Sequence, residues 1–188
     1  MGVLGYYRAA TELVQQVENN ELPVPDTLFV PVGSGGTLAG LSLGIKNSPL
    51  DCQLVGIRVI SPLFVNSWFV ARLANNTATL IEEHSPLSPE PVTREDFELT
   101  GEYLGPGYGK ATPELRNFLS RTRDKVSFRL DPTYTGKTLQ ALYQERRKRG
   151  LEDKVVLYWH TLSQVDLSVW TNKASKKDLP DEYHVYFE

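Results

Sequence analysis

One cysteine, one methionine and three histidines occur among the 188 residues. A single thiol, Cys52, can neither close an intrachain disulfide nor build a cysteine-based metal cluster, and it fits a reducing compartment and a cytoplasmic protein. His84 and His160 are far apart and His184 falls in a polar tail, so no metal site is legible. No apolar run approaches the roughly 18–20 residues that span a bilayer. The N-terminus lacks the charged stretch and apolar core of a secretion signal. Charge of one sign is scarce as well: a net −3 and a pI near 5.7 set up no field that recruits nucleic acid or an anionic membrane. The dense basic run Arg146-Arg147-Lys148-Arg149 ends a helical pattern, where cations complement the helix dipole.

What is present is a core. Hydrophobic residues make up 40% of the chain, enough for one globular domain over 1–188 or a large piece of one. Apolar spacing predicts a helix over Tyr6–Glu18, ended by Pro23 and Pro25, and a buried strand over Leu28–Val32. A helix follows over Thr37–Lys46, then a strand over Gln53–Ile60 and a mostly helical stretch to Glu83. Three prolines mark His84–Arg94 as a loop, and Leu104–Lys110 (LGPGYGK) reads as another. Thr112 and Pro113 begin a helix reaching Thr122; a short strand is predicted at Val126–Leu130, a helix over Thr135–Arg149 and a buried strand over Lys154–His160. From 163 to 188 the chain reads as an irregular tail. Strand and helix in alternation imply an α/β protein of three layers, a mostly parallel sheet with helices on both faces.

The stretch Phe29–Gly40, FVPVGSGGTLAG, turns a buried strand into a helix through three glycines within four positions. Unpaired N–H groups and the positive dipole end meet at such a turn, a site suited to phosphate. Gly33, Gly35 and Gly36 let the backbone wrap, and Ser34 and Thr37 add hydroxyls. Tight strand-to-helix turns also use glycine without binding anything. A dinucleotide fingerprint is weakened because the sixth position from Gly33 is Leu38. A P-loop ending at Gly136-Lys137-Thr138 fails, since it needs glycine where Asp131 stands. Pyridoxal phosphate needs one helix-end cradle for its single phosphate, plus partners for its ring. Asp131–Thr138, DPTYTGKT, offers Tyr134 and Thr135 at the start of a helix.

Four segments in order, GSGGTLAGL (Gly33–Leu41), GPGYG (Gly105–Gly109), DPTYTGK (Asp131–Lys137) and VVLYWHT (Val155–Thr161), resemble the D-cysteine desulfhydrase and 1-aminocyclopropane-1-carboxylate deaminase family. These are pyridoxal-phosphate enzymes of the tryptophan synthase β-like, type II fold. The opening Leu4–Gln16 is also similar to the family's helix before the phosphate loop. The resemblance extends to about His160 and corresponds to the family's C-terminal half, most of its large cofactor-binding domain. It implies a lyase or deaminase acting on a small amino acid, with Gly33, Ser34, Gly35, Gly36 and Thr37 holding the cofactor phosphate and Thr135 contacting the pyridine nitrogen. Tyr108 and Tyr134 would line the substrate pocket as catalytic groups. His160 and Thr161 would sit near the cofactor at the end of the last strand, and Lys137 would be structural.

Two departures accompany the match. The family's Schiff-base lysine lies in an N-terminal motif well before the phosphate loop, and nothing like it precedes Gly33; Lys46 is the sole lysine ahead of Lys110. The family's closing His-Thr-Gly-Gly reads His160-Thr161-Leu162-Ser163. The resemblance therefore implies a part of an enzyme whose partner is the missing N-terminal half or a second copy of the chain. A noncatalytic homologue that binds a phosphate ligand or a protein, and an unrelated enzyme of nucleotide type, stay open beside it.

Overall fold

The computed structural model describes residues 2–163, 165–172 and 175–187. Its spine is β1 (Thr27–Val32), buried along all six residues. A strand covered on both faces needs a continuous apolar run rather than alternation, which TLFVPV supplies. To one side β1 pairs with β2 (Gln53–Arg58), which pairs with β3 (Glu98–Thr100); to the other it pairs with β4 (Val156–Tyr158). All the pairings are parallel, and their register sets Val32 opposite Arg58 and Phe29 opposite Tyr158. Every strand therefore ends at the same edge.

Helices cover both faces. Leu28, Val30 and Val32 point into the core shared with α1 (Gly2–Glu18), α2 (Gly36–Lys46) and α3 (Ser67–His84). Phe29, Val55 and Ile57 face the other way, onto Ala141 of α5 (Thr135–Lys148), against which α4 (Pro113–Thr122) packs. The expected Thr112 cap is in place, its hydroxyl accepting from Leu115 N–H at 3.1 Å. The basic run at the end of α5 meets acidic partners: Arg149 pairs with Glu98 and Glu145, and Lys148 with Glu145.

Several boundaries differ from the sequence reading. α1 starts near Gly2 rather than Tyr6, because Val3 and Leu4 add their side chains to the core. β4 is shorter than Lys154–His160 and half-buried rather than buried, since it is the edge strand. The strand expected at Val126–Leu130 does not form. That segment is held by Phe128, whose ring lies 4.7 Å from that of His160, and by a hydrogen bond between His160 Nε2 and the Arg129 carbonyl at 2.8 Å. The fourth strand is Glu98–Thr100 instead, three residues without an apolar pattern to announce them. The tail holds short helical turns, including α6 (Ser168–Thr171). Among the described residues no helix is long and apolar enough to cross a membrane, and no group of three or more His, Cys, Asp or Glu could hold a metal ion.

The α1–α2 contact brings two backbones together at Gly40, where a Cβ would lie 2.4 Å from the Val3 carbonyl oxygen and 2.9 Å from Tyr7 N. Gly40→Ala adds helix propensity of about 1 kcal/mol, but overpacking against backbone that cannot swing aside costs about 1–3 kcal/mol. The clash should win. Urea unfolding of Gly40→Ala is expected to show a lowered midpoint, and an unchanged or raised midpoint would mean that α1 and α2 are not in this close contact.

Candidate functional site

Chain leaving β1 enters α2 through Gly33, Ser34 and Gly35. Gly35 occupies the N-cap with φ 83°, a left-handed conformation that L side chains rarely adopt. It offers no side chain to cap the helix. The first bond into the helix runs from Ala39 N–H to Gly35 O at 2.9 Å. The N–H groups of Gly36, Thr37 and Leu38 thus have no acceptor among the described residues. No acidic residue stands in the first turn to neutralise the positive end of the helix. Ser34 is exposed and Thr37 half-buried beside it. Lys46 lies at the opposite end of α2, paired with Asp96 at 2.8 Å.

A second helix, α5, begins at the same edge of the sheet, and its N-terminus is already filled. Asp131 accepts hydrogen bonds from the backbone N–H groups of Thr133, Tyr134 and Thr135 and from the Thr135 hydroxyl. Burial works to raise the Asp131 pKa, yet these bonds outweigh it and hold the carboxyl below its usual value. Of the two helix ends, only that of α2 is open to an anion.

The aromatic pair lies next to that opening. A Cβ on Gly33 would sit 2.8 Å from Cε1 of Tyr134, so the ring lies directly against the glycine backbone. Tyr134 and Tyr108 share a hydrogen bond between their hydroxyls at 2.6 Å, with the rings edge to face. Burial, then the Tyr108 contact, pushes the Tyr134 pKa up to about 12. Tyr108 is 54% exposed, so the pair opens to solvent.

The structure thus brings Gly33, Ser34, Gly35, Gly36, Thr37, Tyr134 and Tyr108 together. Thr135 is placed differently: it is fully buried, its hydroxyl donating to Asp131 at 2.5 Å and accepting from Asp131 N–H at 2.8 Å. Thr161 follows β4 at the same edge, exposed, with no hydrogen bond to the tyrosines. Three further residues carry geometry: Asp131 and Arg58, which the sequence left without a role, and Lys137, which it gave as structural. Asp131 is the cap just described; an Asp ahead of Pro at a helix start is a turn-and-cap signal that could have found it. Lys137 is 1% exposed and donates to the carbonyls of Leu104 at 2.7 Å and Gly107 at 3.1 Å. Arg58 ends β2 opposite Val32, and its Nε is buried without a hydrogen-bond partner.

The chain is similar to several known proteins. A family model described as pyridoxal-phosphate dependent enzyme matches residues 1–161. A provisionally named 1-aminocyclopropane-1-carboxylate deaminase of Pyrococcus horikoshii is 34% identical over 161 residues, 86% of this chain and 45% of that protein. The D-cysteine desulfhydrase of Salmonella typhi is 29% identical over 162 residues, again 86% of this chain and 46% of the relative. Among solved structures, one of an ACC deaminase homologue aligns with a TM-score of 0.63 at 31% identity, covering 83% of this chain and 44% of its own. The chain spans about half the length of the relatives it matches.

The open helix end makes a sharp test. A Cβ on Gly36 has no neighbour closer than 3.7 Å, so Gly36→Asp fits sterically and adds a favourable charge to the helix terminus. The same carboxylate repels an incoming phosphate. Calorimetric titration with inorganic phosphate and with pyridoxal phosphate should show affinity reduced about tenfold or more, the loss of one charge-assisted hydrogen bond. Thermal stability should be kept or raised. Unchanged affinity would move the anion site elsewhere.

Proposed function

From the premise that this chain belongs to the pyridoxal-phosphate dependent enzyme family, with the α/β architecture of fold type II, we propose that it forms the phosphate-binding and phenol-bearing part of a lyase or deaminase acting on a small amino acid of the D-cysteine or 1-aminocyclopropane-1-carboxylate type. The observation that carries the reading is the uncapped N-terminus of α2 beside the Tyr108–Tyr134 pair.

The residues present fit the cofactor's phosphate. The N–H groups of Gly36, Thr37 and Leu38 lack acceptors, Ser34 and Thr37 add hydroxyls, and the turn packs so closely that side chains on Gly33 and Gly35 would press on Tyr134 and on Val65 and Val70. When bound, pyridoxal phosphate supplies an electron sink that lets a bond at the amino acid's reacting carbon break. The chain contributes positioning and proton handling. Tyr134 shields the Gly33 backbone from water, and the two phenols, 2.6 Å apart, can hold one proton between their oxygens and present the other to a substrate.

The lysine that the family uses to hold its cofactor is assigned to a segment outside residues 1–188. Lys46 is tied to Asp96 at the far end of α2, and Lys137 is held by two carbonyls. The free edge of β4, with a groove of about 310 Å³ lined by Leu13, Leu22, Leu157 and Trp159 among others, is the surface we assign to that segment or to a second copy.

Mixed with pyridoxal phosphate and D-cysteine, the chain by itself is expected to release no sulfide above the cofactor's own background. Borohydride reduction should leave no stoichiometric pyridoxyl-lysine in its mass spectrum. A single fully modified lysine, such as Lys110, with turnover lost on its change to Ala, would overturn the assignment. Phosphate affinity without activity even after a lysine-bearing half is added would favour the noncatalytic homologue.

A further inference from the structure

Lys137 stands in an electrostatically unfavourable place. It belongs to the first turn of α5, where the helix dipole disfavours a cation, and it is 1% exposed. Burial holds its pKa below the ordinary lysine value, against the pull of the Asp131 charge. A buried ammonium persists only where its protons are used, and here they go to the carbonyls of Leu104 and Gly107.

Those carbonyls belong to a loop with little of its own to shape it. Gly105, Gly107 and Gly109 all have positive φ, and the backbone bonds within the loop are turn closures at its two ends, Leu104 N–H to Gly101 O and Lys110 N–H to Gly107 O. Upstream the loop is anchored where the Tyr103 hydroxyl donates to Glu145 at 2.6 Å. From Leu104 to Gly107 the side chain that grips its backbone is Lys137. The next residue after Gly107 is Tyr108, whose hydroxyl meets that of Tyr134. Tyr134 itself lies three residues before Lys137, at the N-cap of α5.

We infer that Lys137 is a positioning residue: its ammonium ties the loop 104–109 to the first turn of α5 and thereby sets Tyr108 against Tyr134. This rests on the proposed function only for the value of the phenol pair; the contact itself is independent of it. The geometry gives one ammonium two tasks, holding the loop's backbone and coupling its place to the helix that carries the second phenol. A cavity of about 180 Å³ lined by Lys137, Gly105, Thr112 and Gln140 adjoins the ammonium, so a small amine could reach its place if the side chain were shortened.

Tyrosine carrying carbon-13 at Cζ reads the contact directly by NMR, with the Tyr134 resonance assigned by its loss in Tyr134→Phe. In the unaltered chain that resonance should titrate above the ordinary tyrosine value, and in Lys137→Met it should fall part of the way back, by the share that the Tyr108 contact adds to burial, while denaturant unfolding remains cooperative. Lys137→Ala should behave likewise, and propylammonium, the amine it lacks, should restore the high value. Should Lys137→Met not fold, folding of Lys137→Ala that depends on propylammonium and returns the high Tyr134 value supports the inference. A Tyr134 titration unchanged in a folded Lys137→Met or Lys137→Ala overturns it. The functional reading fails separately, if Tyr134→Phe and Tyr108→Phe leave pyridoxal phosphate affinity and the activity of the completed enzyme unchanged.

Discussion

Burial of β1 on both faces is the constraint from which the rest of the architecture follows. A strand with no solvent face must be covered by helices above and below, and those helices must cross between strands that run the same way. In a parallel sheet every connection leaves its strand at the same edge. That edge gathers the turn at 33–37, the loop at 101–110, the start of α5 and the segment after β4, although they are spread over more than a hundred residues of chain.

Charge at this edge is allocated unevenly, and the allocation creates the site. Two of the helices that begin at it, α2 and α5, meet beside the phenols. One is neutralised by the Asp131 carboxylate, which takes up the N–H groups of residues 133–135. The other carries no acidic residue and no side-chain cap, so its donors are left for an anion from outside. The cation of Lys137 is turned away from both, into the loop carbonyls. An anion therefore meets an open site at α2 and a filled one at α5, and the phenols stand where the two helix ends approach each other.

Much of this was legible in the residues. The Gly33–Thr37 turn announced itself because glycine adopts the φ of Gly35 with least strain, so a local backbone demand leaves a local mark. Strands β1 and β2 were readable as short apolar, β-branched runs, α1 as an apolar stripe and α4 from its Thr112-Pro113 start, because burial and capping leave marks in nearby residues. The short strand Glu98–Thr100 was not, and Val126–Leu130 was mistaken for one, because a three-residue edge strand is defined by its neighbour's hydrogen bonds rather than by its own composition. Lys137 read as structural; what it grips could not be read, since the Leu104 and Gly107 carbonyls lie some thirty residues away.

By itself the sequence determined the class of the fold, the strands β1 and β2, the helices and the glycine turn, because each depends on nearby residues or on a pattern of burial. Tertiary structure alone decided which of two helix ends stays open, that the Thr135 hydroxyl is spent on Asp131, and that Tyr108 meets Tyr134 across 26 positions of chain. Those outcomes turn on distances of about one hydrogen bond between segments remote in sequence, and only packing sets such distances.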